Sequence, residues 1–246
     1  KDELFLYVAH RFGNINDGIR TLFGLDIANT KIELMYGLTD KFQLGFSRES
    51  LKKTYSLSLK NKLLEQNSSS PLNLSSYFSF NYNSSDFLAP GKDLSFSQRS
   101  LFLFQFLISN RINDKISFQI SPIFIKRNYN QERFLFIDGN VVFEDGVPVT
   151  TTFDTENNYA LGLSTSYKLN KRTSLNLEYS LNFNRPDISP YLNPLSIGID
   201  LETGGHVFQL IFSNTQSIDD LSVLLDAEGS WKEGDIFFGF NILRVF

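Results

Sequence analysis

Asp235-Ile236-Phe237-Phe238-Gly239-Phe240-Asn241-Ile242-Leu243-Arg244-Val245-Phe246 closes the chain. Ile236, Phe238, Phe240, Ile242 and Phe246 recur in steps of two, with Gly239 and Asn241 between them. Alternation of that period gives a β-strand one apolar face, because successive side chains point to opposite sides. Such a face can be buried inside a soluble sandwich or set against lipid around a transmembrane barrel. Arg244 interrupts the apolar stripe near its end, so this segment alone leaves the choice open.

Composition narrows it. The 25 phenylalanines are many for a chain of 246 residues whose apolar share is an ordinary 41%, so aromatics are in use without an enlarged core. A net charge of -4 offers no basic footprint for nucleic acid. The absence of cysteine excludes disulfides, thiol nucleophiles and thiolate metal sites. No stretch reaches the roughly 18 apolar residues of a membrane helix; the longest run, Leu101 to Ile108, is broken by Gln105. Only a closed barrel would then span a bilayer. The chain begins at Lys1 without an initiator methionine or a signal peptide, as a processed exported protein or a cropped segment would.

Period-two segments follow one another along the whole chain. They fall near Leu4 to Gly13, Lys31 to Leu38, Phe42 to Ser50, Thr54 to Leu64, Leu74 to Asn83, Ser97 to Ser109, Ile116 to Arg127, Tyr159 to Leu169, Thr173 to Phe183, Leu195 to Glu202, His206 to Ser213 and Asp235 to Phe246. That is about twelve strands, an even number, with lengths near those of tilted spanning strands. Short turns follow the even strands: Thr39 to Lys41, Asn67 to Pro71, Arg111 to Lys115, Asn170 to Arg172 and Thr203 to Gly205. Apart from a tight turn near Leu51, the odd strands lead into longer segments, at Asn14 to Thr30, Ser84 to Leu94, Asn128 to Asn158, Asn184 to Pro194 and Asn214 to Gly234. Short turns on one side and long loops on the other are the layout of an outer-membrane barrel, and a Greek-key sandwich has no reason to alternate so.

The faces agree. Leu175, Leu177, Tyr179 and Leu181 oppose Asn176, Glu178, Ser180 and Asn182. The polar faces are rich in Ser, Asn, Gln and Gly and poor in the Lys and Glu that coat soluble strands, which suits a hydrated lumen. Tyr36, Phe42, Tyr167 and Phe246 all fall at the short-turn end, as an aromatic girdle would.

Two resemblances add to this reading. The terminal strand, with Phe240, Ile242 and Phe246, resembles the assembly signal of bacterial outer-membrane barrels, although its glycine is displaced from the commonest place. Arg11-Phe12-Gly13, Gly18-Ile19, Leu22 to Asp26, Ala28-Asn29, Tyr36-Gly37, Asp40 and Arg48 belong to a wider pattern. With Ser196 to Asp200, Glu202 to Leu210, Gly234 to Ile236, Gly239 to Ile242 and Arg244 to Phe246, they resemble an uncharacterised β-barrel family of Bacteroidetes outer membranes, a domain of unknown function. The resemblance implies barrel and location and supplies no activity.

Catalytic signals are thin. A lipid-hydrolysing barrel needs a serine and an oriented histidine, whereas His10 and His206 are placed at opposite edges of the membrane. An interfacial role for both competes with that reading and is favoured. Two distant histidines without cysteine do not build a transition-metal site. Asp219-Asp220, Asp226 and Glu228 lack calcium-loop spacing and read as a solvated face. No catalytic residue, metal or cofactor is therefore assigned.

Asp138-Gly139 and Asp145-Gly146 read as tight turns of a strand excursion above the membrane. Ile19, Leu22 and Phe23 have helical spacing on a stretch too short to stand alone, which suits a rim helix or a gate. The expected closure of first strand on last sets this loop beside the one carrying Leu221, Val223, Leu224, Leu225 and Trp231. The two apolar sets are expected to pack as a cap.

Lys60 and Lys62 on the fourth strand, Glu178 on the ninth, and Asp200 and Glu202 on the tenth share the polar, luminal register. In a ring of about twelve strands the fourth and tenth are diametrically opposed. These charges would line a constriction with a transverse field or pair up as a plug.

The expectation is one domain over residues 1–246: an all-β, transmembrane, antiparallel up-and-down barrel of about twelve strands with periplasmic termini, in the outer membrane of a Gram-negative bacterium. Its function is expected to be a narrow channel for small hydrophilic solutes. The alternative is a non-conducting barrel that binds an envelope or cell-surface partner through its extracellular loops. Expected partners are outer-membrane lipid and lipopolysaccharide, the barrel-assembly machinery during biogenesis, and no nucleic acid.

Overall fold

A computed structural model of the chain describes residues 1–86, 92–130, 132–137, 140–152 and 155–246, with backbone only at 132, 133, 136 and 137. Twelve strands form its wall: β1 (Leu4–Asn14), β2 (Ala28–Gly37), β3 (Phe42–Glu49), β4 (Thr54–Leu64), β5 (Asn73–Asn83), β6 (Ser100–Arg111), β7 (Ile116–Arg127), β8 (Asn157–Lys168), β9 (Thr173–Asn182), β10 (Leu195–Thr203), β11 (His206–Ser213) and β12 (Phe237–Val245). Each pairs antiparallel with its chain neighbours, and β1 pairs with β12 from Phe5↔Val245 to Arg11↔Gly239, which closes the barrel. Closure satisfies every ladder without leaving an edge, the condition for β-structure inside lipid. Among the described residues no helix is long and apolar enough to cross a membrane.

The register sorts side chains as the alternation predicts. Leu34, Phe46, Leu57, Phe78, Leu177 and Leu210 lie exposed on the outside. Ser47, Ser58, Ser79, Asn81, Ser121 and Asn241 are buried on the inside. A soluble domain does not display apolar surface around its whole circumference, so the outer face is a lipid face. Tyr36, Phe42, Tyr167 and Phe246 are exposed at the short-turn end. Arg244 completes that ring rather than breaking the stripe, since its guanidinium sits 4.5 Å from the Phe246 ring centroid.

Both termini lie at the same end. The Phe246 amide donates to Leu4 O at 2.9 Å and the Asp2 amide to Gly37 O at 2.8 Å. The opposite end carries the long connections. One folds into small pairings, Glu132–Phe134 with Thr150–Thr152 and Phe143–Glu144 with Val147–Pro148. Asp145 (φ 52°) and Gly146 (φ 78°) supply the two positive φ angles of the expected tight turn; Asp138-Gly139 lies outside the described residues. Two boundaries differ from the periodicity. β6 starts at Ser100 because Ser95 to Arg99 form a turn, with the Ser100 amide donating to Ser97 O. β12 starts at Phe237 because Asp235 turns aside to accept from Asn14 at 2.8 Å.

The connection from β11 to β12, residues 214–236, does not stand above the rim. It folds into the barrel, with a one-turn helix α1 (Ser222–Leu225) at its tip. Leu221, Leu224 and Leu225 pack there against the inward-facing Leu103, Ile123, Ile125 and Ala160 of β6, β7 and β8.

Candidate functional site in the barrel lumen

The inward loop divides the lumen. Towards the short-turn end lies a cavity of about 510 Å³ that reaches from Val223 down to Ser109, Ser117 and Ser166, near the turn ends of β6, β7 and β8. Beside it, under α1, is a second space of about 260 Å³. On the long-loop side lies a smaller space of about 70 Å³, between Lys52, Arg127, Tyr129, Tyr191 and the loop.

Apolar packing and ion pairs hold the loop together. Fully burying a leucine removes enough apolar surface from water to contribute roughly 1.5–3 kcal/mol, and three leucines are nearly sealed here. Two acidic tips then meet cations on the wall. Lys31 Nζ lies 3.0 Å from Asp220 Oδ1 and 3.2 Å from Glu33, and the Tyr77 hydroxyl donates to Asp220 Oδ2. Arg127 lies 2.9 Å from Asp226, with Lys52 3.7 Å away. Burial works to raise the pKa of Asp226 but is outweighed by Arg127 and Lys52, so the carboxyl stays below its ordinary range. Asp219 has no such cation. Its Oδ1 accepts from the Leu221 and Ser222 amides, Oδ2 is buried without a partner, and burial raises its pKa. The loop is tied further by Trp231 donating to Leu195 O at 3.0 Å and by the Leu192 amide donating to Ala227 O at 2.8 Å.

These contacts correct two expectations. Asp219, Asp220 and Asp226 are not a solvated face but meet the barrel interior; Glu228 alone stays exposed, its carboxylate accepting from the Gln216 amide. No group of metal-ligating side chains exists among the described residues. The rim cap also fails. The two loops do touch at the rim, with Asn16 donating to Glu233 O at 3.2 Å, but their apolar residues part company. Leu221, Leu224 and Leu225 turn inward to the drier surface of Leu103 and Ile125, and Trp231 follows the same loop. Ile19, Leu22 and Phe23 stay 75%, 51% and 52% exposed on the 3-10 segment Ile15–Thr21 and the turn after it.

The charge constellation is divided. Lys60, Lys62, Glu178, Asp200 and Glu202 all keep the luminal register. Glu178 and Asp200 line the large cavity, whereas Lys60, Lys62 and Glu202 are not among its walls. Lys62 pairs with Glu65 at 3.0 Å on the exposed turn side. Sequence reasoning missed Lys31, Tyr77, Arg127 and Lys52 as partners of the loop. A signal was present: β6 and β7 carry Leu101, Leu103, Ile123 and Ile125 on the face that should meet water. Strands apolar on both faces are covered on both faces, so something apolar had to dock inside.

Neither histidine faces the lumen. His10 lies on the outer face beside Phe240 (centroids 4.8 Å apart), with Nδ1 2.9 Å from the Thr30 hydroxyl. His206 stacks on Phe208 at the short-turn end.

Over residues 1–246 the chain matches a family described as a membrane bound beta barrel domain, DUF5777. The protein belongs to that family. Among solved structures it is similar to the NanC porin in a rhombohedral crystal form, at 8% identity and a TM-score of 0.57, with 98% of each chain covered. It is also similar to the KdgM porin, at 8% identity and a TM-score of 0.51, with 99% of each chain covered. At that identity the likeness is one of fold. No curated protein matches the chain at a significant level.

Proposed function

We propose that this family member is an outer-membrane channel for small hydrophilic solutes whose passage is governed by the inward-folded loop of residues 214–236. The supporting observation is the asymmetry of the lumen: a cavity of about 510 Å³, bordered by many Ser, Thr, Asn and Gln residues, below the loop and a space of about 70 Å³ above it. A barrel meant only to be filled would use wall side chains, whereas here a separable segment does the closing, held by latches that can open without unfolding the wall. The fold shared with two proteins titled porins supports the same reading. The outer membrane of a Gram-negative bacterium, of the Bacteroidetes kind that the sequence resemblance implies, with long loops outside and termini in the periplasm, is the setting that fits it.

Conductance in planar bilayers tests this. The intact protein should give small steps, and replacing residues 217–228 by a short glycine-serine linker should enlarge them severalfold. Absence of defined steps from both proteins, with folding confirmed, would overturn the channel reading. The closed lumen favours one second reading, a non-conducting barrel that binds an envelope or surface partner through its long loops, and that result would leave it standing.

A further inference from the structure

We infer that the large cavity is a binding site for small organic ammonium ions, with the Glu178 carboxylate as its charged anchor. The inference deepens the channel reading and rests on it for the idea that solutes reach the lumen.

Charge accounting across the cavity wall isolates Glu178. Arg11, on β1, lies across Gly239, where an added Cβ would fall 2.5 Å from the arginine Cδ. Its Nη1 donates to Asn241 Oδ1 at 2.9 Å. Asn241 donates to Gln209 Oε1 at 2.9 Å, and Gln209 donates to Asp200 Oδ1 at 2.9 Å. This relay crosses four adjacent strands and ends on a carboxylate, so Arg11, the one cation bordering the cavity among the described residues, is matched by Asp200 and the intervening amides are oriented. Glu178 stands outside it. Its cross-strand neighbours are Ser164 and Ser196, and among the described residues no donor or cation pairs with it.

Position makes that carboxylate useful. Glu178, Ser164 and Val223 border both the 510 Å³ cavity and the 260 Å³ space beneath α1. Glu178 therefore sits at their junction, hydroxyl-lined below and roofed by an apolar residue of the loop. Glu178 is exposed to the lumen with no counter-charge beside it among the described residues, so a cation that enters the cavity gains its Coulomb attraction without displacing an existing partner. A volume of this size holds a ligand of several to a few tens of heavy atoms. A solute with an ammonium head, hydrogen-bonding groups and a short apolar body complements all three surfaces, whereas an anion would meet Glu178 unscreened.

Calorimetric titration of the detergent-purified full chain with lysinamide is the test. Saturable binding should weaken as salt rises, fall about tenfold or more in Glu178→Gln, persist in Glu178→Asp, and be unchanged in the exposed control Asp17→Asn. Heat-modifiable gel mobility confirms that each variant is a folded barrel. Equal binding by wild type and Glu178→Gln, or no saturable binding to folded wild type, overturns the site. Channel steps without lysinamide binding would reject the site and keep the channel. Binding without steps would uphold the site and reject the channel.

Discussion

Asp226 shows at the level of one residue how the loop is kept in place. Its carboxylate faces Arg127 on the wall and Lys52 in the turn between β3 and β4, and removing one member of a buried pair leaves the other uncompensated at a cost of about 3 kcal/mol. Because the folded pKa is depressed, this contribution is fully present above the unfolded carboxylate value of about 3.9 and is lost as pH falls through the lower folded value. Asp226→Asn should therefore lower the melting temperature in detergent at pH 7. That difference from wild type should vanish well below pH 4. A difference that grows towards acid would mean Arg127 is not the stabilising partner. The paired residues were individually visible in the sequence. Their pairing was not, because Arg127 and Asp226 are 99 positions apart and no local period connects them.

Among elements, the wall and the loop obey different rules. The strands are dictated locally: alternation sets the face, and turns such as Thr203 to Gly205 set the register. Phe246 directly follows the closing strand, and Phe246→Ala should reduce yield in the membrane more than refolding in detergent, as the likeness of the chain's end to an assembly signal requires. Equal membrane yields would count against it. The loop of residues 214–236 is decided by what it meets. Lys31 and Asp220 are in direct contact, so cysteines replacing both should crosslink through a short bifunctional reagent in the intact barrel. The crosslinked protein should show the small-step conductance without larger excursions. Leu22, displayed outside, should not crosslink to Leu224.

For the whole molecule, the lipid-facing belt and the closed ladder predict a barrel that needs detergent and runs faster on gels unheated than boiled; a monomer soluble in plain buffer would refute this. Charge reversal at Lys60 and Lys62 on the wall opposite Asp200 should shift the cation-to-anion permeability ratio towards cations while leaving that gel shift intact. Unchanged selectivity would show that these lysines lie off the solute path. Strand number, alternation of short and long connections, outward aromatics at the turn end and the luminal register of Lys60, Glu178 and Asp200 were all legible in the chain. Each follows from a period of two and from local turn chemistry, which act between near neighbours. The destination of Leu221, Leu224 and Leu225, the latches on Lys31 and Arg127, and the isolation of Glu178 were settled only by the closed tertiary structure. Closing twelve strands brings β2, β7 and the last loop around one small lumen. There, desolvation and Coulomb attraction between residues remote in sequence decide which groups pair and which are left without a counter-charge.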